Sequence, residues 1–290
     1  MTTTAPIEVP RGLAGVVVTN TELGDVRGRE GFYHYRQYSA IELAETRTFE
    51  DVWALLIDGT LPDRDRREAF IRETAPLRVL PAEIMDVLPA VAKANGAAGP
   101  LAGLRTAMSL LGAQAGFRPV YDIDPGQRRA DTLRVCAAVP TVLTALHRLA
   151  TGHAPIAPRD DLPHAANYLY MLTGSEPAPE QARAIEQYLI STIDHGFNAS
   201  TFTGRVIAST GADVAASLVG AVGALSGPLH GGAPSRALDT LDAIGTPDNI
   251  DPWIRDRVLA GERIMGFGHP VYRTEDPRSR MLRGIAVRLA

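Results

Sequence analysis

Helical punctuation constrains this chain more than any other feature. Apolar residues recur at three- and four-residue spacing, and Ser, Thr or Asp caps, Pro openers and Gly stops bound the runs. Ser39-Ala-Ile-Glu42 has the form of a capping box, in which each side chain satisfies the other residue's free backbone N–H. Thr48 can cap a helix carrying Phe49, Val52, Trp53 and Leu56 on one face, and Gly59 stops it. A charged amphipathic helix is predicted over 63–73. Pro81 opens another, with Ile84, Val87, Leu88 and Val91 as its stripe. Segments 101–111 and 130–149 read as largely buried helices rich in Ala and Leu. Gly152, Pro155, Pro158 and Pro163 break the pattern.

Helical periodicity resumes over 180–194, then 201–209, 213–225 and 235–244. Asp251-Pro252 reads as a cap followed by Pro at the first helical position. The segment 280–290 begins a further amphipathic helix. Strand signals are few: Gly15-Val16-Val17-Val18 and Phe32-Tyr33-His34-Tyr35 suggest a small hairpin. The expected class is mainly α with a small N-terminal β-hairpin.

Composition excludes several functions. With 29 basic and 33 acidic residues the formal net charge is −4, which lacks the basic excess that displaces counterions from nucleic acid. No run reaches the about 18 apolar residues of a membrane span. The apolar stretches 135–146 and 218–225 read as buried helices. The N-terminus lacks the basic start and apolar run of a secretory signal. The single cysteine, Cys136, permits no internal disulfide and no Cys-based zinc site. It fits a reducing compartment, and a cytoplasmic location is expected.

Chemistry concentrates around three of the seven histidines. In Asp194-His195-Gly196-Phe197-Asn198 a helix end meets Gly. The helix dipole there favours a protonated imidazole able to hold a carboxylate, and Asn198 offers an amide in the same turn. A polar corner in which His and Asn only cap backbone groups is the bland alternative. In Gly227-Pro228-Leu229-His230-Gly231-Gly232, flanking glycines let a ligand approach the ring. An interdomain linker is the alternative there, and a hinge is expected at the same place. In Gly266-Phe267-Gly268-His269-Pro270-Val271-Tyr272-Arg273 and Asp276-Pro277-Arg278, arginines follow the histidine. Their planar fork suits carboxylates and phosphates. There is no His-Glu-x-x-His, no Walker A run and no Gly-x-Ser-x-Gly elbow, and no metal or cofactor is expected.

These three segments, in this order and spacing, resemble the histidine motifs of the citrate synthase family. Gly12-Leu13-Ala14-Gly15-Val16-Val17 and Tyr33-His34-Tyr35-Arg36-Gln37-Tyr38 resemble the start of its shorter bacterial type. The resemblance implies a helical homodimer with its site in a cleft between two domains. Here residues 1–232 would form the large domain, and 233–290 the beginning of a truncated small one. The implied reaction condenses acetyl-CoA with oxaloacetate, giving citrate and CoA, with the thioester as a substrate. His230 and His269 would be catalytic, the first on the thioester carbonyl and the second polarising the ketone. His195 and Arg278 would bind oxaloacetate, and Asn198 would support the His195 turn. Ile264, Met265, Gly266, Phe267 and Gly268 would line the CoA adenine site, and Arg273 would meet a CoA phosphate.

The family's general base is an aspartate downstream of these motifs, and no acid here matches it. The 290-residue chain is therefore expected to lack most of the activity. It is also expected to leave apolar helix faces beyond about residue 235 without partners. A 2-methylcitrate synthase using propionyl-CoA and a non-catalytic oxaloacetate-binding remnant are the alternatives. A plain helical scaffold is a third, against which the retention of all three loops argues.

Overall fold

The computed structural model describes residues 17–96, 99–269 and 271–290. Strands β1 (Gly24–Arg27), β2 (Phe32–Tyr35) and β3 (Tyr38–Ser39) form an antiparallel sheet in sequence order. Thirteen helices follow among the described residues. The first six are α1 (Ala40–Thr46), α2 (Phe49–Asp58), α3 (Arg64–Thr74), α4 (Ala82–Asn95), α5 (Pro100–Gln114) and α6 (Pro125–Ala150). Next come α7 (His164–Thr173), α8 (Pro179–Thr192), α9 (Ala199–Ser209) and α10 (Val214–Leu225). The last are α11 (Ala233–Ile244), α12 (Ile250–Leu259) and α13 (Pro277–Leu289). The mainly helical class with a small sheet is as the sequence implies.

The local signals act as physical chemistry requires, with corrections. Ser39 caps α1 by accepting from the Glu42 N–H. Thr48 and Asp51 form a reciprocal capping box on α2, and Gly59 ends that helix in the left-handed region, φ 86°. The partner of Phe32–Tyr35 is β1, in the register Val26 opposite Tyr33. Val17 and Val18 are instead exposed and outside any strand, and Gly15, Val16 and the rest of the 12–16 motif lie outside the described residues. Helix α12 starts at Ile250, so Asp251 and Pro252 occupy its first turn and Asn249 is the cap residue. The preceding 3₁₀ turn, Pro247–Asn249, delivers the chain already wound and removes the need for an Asp cap. Helix α7 was not marked by periodicity. Its first turn, His164 to Asn167, is buried throughout, so no apolar-polar alternation shows.

Two adjoining cores carry the fold. Leu88, Leu104, Met108, Leu111, Val142 and Leu146 knit α4, α5 and α6 together, and Val222 brings α10 onto them. Helix α6 is long and apolar enough to cross a membrane by length and composition, yet half of its apolar window is buried inside the fold. Tyr33, Tyr35, Leu43, Val52, Leu55 and Ile190 form the second core, with Met281 of α13 packed against it. Helix α13 thus lies on α1 and α8. By contrast, α11 and α12 expose Leu238, Leu241, Val258 and Leu259.

One charged group is sealed beside this second core. Glu50, 1% exposed, accepts from the His164 N–H at 2.8 Å and faces Arg78 at 3.5 Å. Burial pushes the carboxyl up and the guanidinium down, and their mutual attraction opposes both shifts. Arg78 also donates to the Leu162 carbonyl at 2.8 Å. Removing one member of a buried pair leaves a charge without its counterion. Glu50→Ala is expected to cost about 3–5 kcal/mol in urea unfolding, against about 1 kcal/mol for the cap variant Thr48→Ala. Equal losses would contradict the assignment.

The hairpin also holds a distant loop. Gly28 accepts from the Arg273 N–H at 2.8 Å. A Cβ at Gly28 would fall 2.1 Å from the Val271 carbonyl oxygen, far inside contact distance. Gly28→Ala must therefore displace the 271–273 backbone. Hydrogen exchange at the Arg273 amide should accelerate while α5 and α6 stay protected. An unchanged Arg273 amide would show that the hairpin does not pin the loop.

Candidate active site

Three segments converge where α8 ends. Helix α8 stops at Thr192, and Gly196 turns the chain with φ 67°. A positive φ here suits Gly, and the Val26 side chain lies 3.2 Å from where its Cβ would stand. The turn exposes the His195 ring to β2 on one side and to the 269–278 loop on the other. The His195 and His269 rings meet edge to face at 5.4 Å between centroids. Tyr33 of β2 lies 5.4 Å from His195 in the same manner. Arg278, at the start of α13, sits 6.0 Å from the Tyr33 ring and 5.9 Å from that of Tyr272.

Arg278 is held rigidly. Its Nε and Nη2 donate to the two Asp276 carboxylate oxygens at 3.0 and 2.7 Å. The Arg278 backbone N–H donates to the same carboxylate at 2.9 Å, so Asp276 also caps α13. Burial opposes both charges, but the pair still lowers the Asp276 pKa and raises that of Arg278. Glu275 pairs outward with Arg280 and Arg283, both at 2.8 Å.

The surroundings of His195 and His269 disfavour the protonated ring. Burial, and then the Arg278 charge and His269, bring His195 down to about 4. His269 is lowered by burial and by Arg278. This corrects the expectation that the helix dipole would favour a protonated His195: desolvation and a nearby guanidinium outweigh it. His269 Nδ1 accepts from the Val271 and Tyr272 N–H groups at 3.1 and 3.3 Å. Its ring proton therefore sits on Nε2, which lies 3.4 Å from Arg278 Nη2.

His230 is anchored from the other side. Its Nε2 lies 2.9 Å from the Ser200 hydroxyl, which lies 2.7 Å from Asn198 Oδ1. Asn198 Oδ1 also accepts from the Ser200 and Thr201 N–H groups, at 3.1 and 3.0 Å. Asn198 thus caps α9, and its oxygen is spent on that cap rather than offered to a ligand. The same short turn carries His195 at one end and the anchor of His230 at the other. The 227–232 segment folds back on itself, with the His230 and Gly232 N–H groups both donating to the Gly227 carbonyl.

The remaining sequence candidates stand apart from this cluster. Ile264, Met265, Gly266 and Phe267 line an apolar cavity of about 480 Å³ between α11 and α12, with Leu241 and Ile254. Gly268 follows with φ 82°. The Arg273 side chain is exposed. Among the described residues no group of His, Cys, Asp or Glu is arranged for a metal ion. Tyr33, Ser200, Tyr272 and Asp276 join the cluster without having been singled out. Tyr33 and Tyr272 stand inside quoted motifs, but a buried tyrosine reads as core, and only its contacts reveal more.

The chain is similar to known proteins over nearly its whole length. The family "Citrate synthase, C-terminal domain" matches residues 12–290. Citrate synthase of Deinococcus radiodurans is 41% identical over 283 residues, covering 97% of this chain and 74% of that protein. The 2-methylcitrate synthase of Mycobacterium tuberculosis is 39% identical over 272 residues, covering 93% of this chain and 67% of that protein. The structure of citrate synthase from Pyrobaculum aerophilum superimposes with a TM-score of 0.87 at 33% identity, covering 96% and 70% of the two chains. That from Thermoplasma acidophilum, a ternary complex with carboxymethyl coenzyme A and oxaloacetate, gives 0.89 at 26% identity, covering 97% and 73%. By sequence and by fold, this chain belongs to the citrate synthase family of acyltransferases.

Proposed function

We propose that His195, His269 and Arg278 bind oxaloacetate and that the chain serves the condensation of this keto acid with acetyl-CoA to give citrate. One observation carries the reading. With its Nδ1 taken by two backbone donors, His269 presents Nε2–H beside the Arg278 guanidinium, 3.4 Å away. The Arg278 guanidinium is directed at this same nitrogen, so an oxygen that accepts from both groups relieves a donor–donor contact. A ketone or carboxylate oxygen satisfies both, and the polarised ketone becomes the electrophile.

His230, anchored through Nε2 by Ser200, is proposed to meet the thioester carbonyl. The cavity lined by Ile264–Phe267, with Gly268 at its edge, is proposed for the adenine of CoA, and exposed Arg273 for a phosphate. The carboxylates beside the cluster are engaged: Asp276 by Arg278, and Asp194 by the Gly196 N–H at 3.2 Å. Binding and polarising the keto acid, rather than full turnover, is therefore the activity proposed for these 290 residues alone. Propionyl-CoA is the second reading, since relatives of both kinds are similar to this chain. One methylene is worth only about 1–3 kcal/mol of discrimination.

Residues 1–232 are proposed as belonging to the large domain and 233–290 to the small one, with α13 packing across the boundary onto α1 and α8. A homodimer is part of the proposal. Helix α9 carries Phe202, Val206 and Ile207 yet buries none of its residues, which suits a partner face. So is a cytoplasmic location, which suits the lone thiol of Cys136, pushed up by burial to about 11.

Calorimetry tests the reading. Oxaloacetate should bind the chain, and Arg278→Ala should weaken binding at least about 30-fold, as for truncation of a half-buried charged partner. Because His195 is lowered to about 4 and His269 is lowered too, affinity should change far less than about tenfold from pH 6.5 to 8.0. A site needing an ordinary imidazolium would lose affinity about tenfold per pH unit above 6.5. Absence of binding, or equal affinity in the Arg278→Ala variant, rejects the proposal.

A further inference from the structure

We propose that Tyr272 is a positioning residue that sets the ring proton of both site histidines, its hydroxyl holding His195 in the Nδ1–H form. Its consequence for ligand binding rests on the oxaloacetate reading above. Tyr272 is 5% exposed, and its hydroxyl lies 3.0 Å from His195 Nε2. Its ring lies 5.6 Å from His195 and 4.9 Å from His269.

Hydrogen-bond bookkeeping fixes the direction. If His195 Nε2–H donated to the phenol oxygen, the phenol proton would need another acceptor, and none lies in reach among the described residues. If the phenol donates to a bare Nε2, both groups are satisfied by one bond. The phenol keeps its proton, because burial and Asp276 push its pKa up to about 12. The ring of His195 then carries its proton on Nδ1. That atom bonds none of the described residues and is not sealed from solvent. It is therefore free to donate to an anionic ligand.

The backbone of the same residue completes the device. The Tyr272 N–H donates to His269 Nδ1 at 3.3 Å, which puts that ring's proton on Nε2. One residue thus gives the two imidazoles opposite tautomers, each with a donor left for the ligand. Tyr33 cannot substitute, since its hydroxyl donates to the Ser191 carbonyl at 2.8 Å. The groups facing His195 are Tyr33, Tyr272, His269, Arg278 and Asp276.

Long-range ¹H–¹⁵N spectra of the histidine side chains test this on the free chain, with His195→Gln identifying the resonances of that ring. The wild-type chain should show His195 as Nδ1–H and His269 as Nε2–H. Tyr272→Phe should release His195 toward Nε2–H, leave His269 unchanged and lower oxaloacetate affinity roughly tenfold, the effect of one misdirected hydrogen bond. A wild-type His195 in the Nε2–H form overturns the proposal, and that spectrum decides even where the variant does not fold. Retention of Nδ1–H in Tyr272→Phe also overturns it. So does unchanged affinity when the wild-type chain binds. Failure of the wild-type chain to bind oxaloacetate sinks the functional reading instead, and the spectra still decide the tautomer.

Discussion

Arg278 stands against two imidazoles and two phenol rings, and its charge acts on all four beside the larger effect of burial. A guanidinium this enclosed persists because Asp276 takes it in a two-point grip and takes its backbone N–H as well. The grip orients the fork, fixes the first turn of α13 and leaves the cation close enough to add to burial in disfavouring protonation of His195 and His269. Neutral rings donate single, directed hydrogen bonds. The site thus has one fixed positive charge and several aimed donors, an arrangement suited to a dianion whose ketone must be polarised without being protonated.

The fold delivers these groups from distant parts of the chain. Strand β2 supplies Tyr33, the turn after α8 supplies His195, and the loop before α13 together with the first turn of that helix supplies His269, Tyr272 and Arg278. The hairpin tip at Gly28 and the packing of Met281 on the Tyr33 core tie the last segment to the first. His230 enters through the Asn198 turn, which joins the ring that would meet the thioester to the rings that would meet the keto acid. Helices α11 and α12 expose Leu238, Leu241, Val258 and Leu259 and line a cavity together with residues 264–267.

Much of this was legible in the sequence. Caps and stops at Ser39, Thr48 and Gly59 bound helices where expected because they act within one turn. The three histidine loops were legible because Gly and Pro leave few structural reasons for a ring there. What stayed hidden depends on tertiary contact. The partner of β2 is not the Val-rich segment but Gly24–Arg27, whose single apolar residue, Val26, packs against the Tyr33 core. The protonation of His195 could not be read from its helix end, because burial decides it first and the charge that adds to burial lies 83 positions away in sequence, at Arg278. The role of Tyr272 was masked by its ordinary look as a core aromatic.

The central claim is that the imidazoles of His195 and His269 and the guanidinium of Arg278 surround a single keto acid. A crystal structure of the chain soaked with oxaloacetate tests it most directly. The account predicts the ketone oxygen between His269 Nε2 and Arg278, with His195 on a carboxylate. Density for the keto acid elsewhere, or a His269 ring turned so that Nδ1 no longer meets the Val271 and Tyr272 amides, would contradict it.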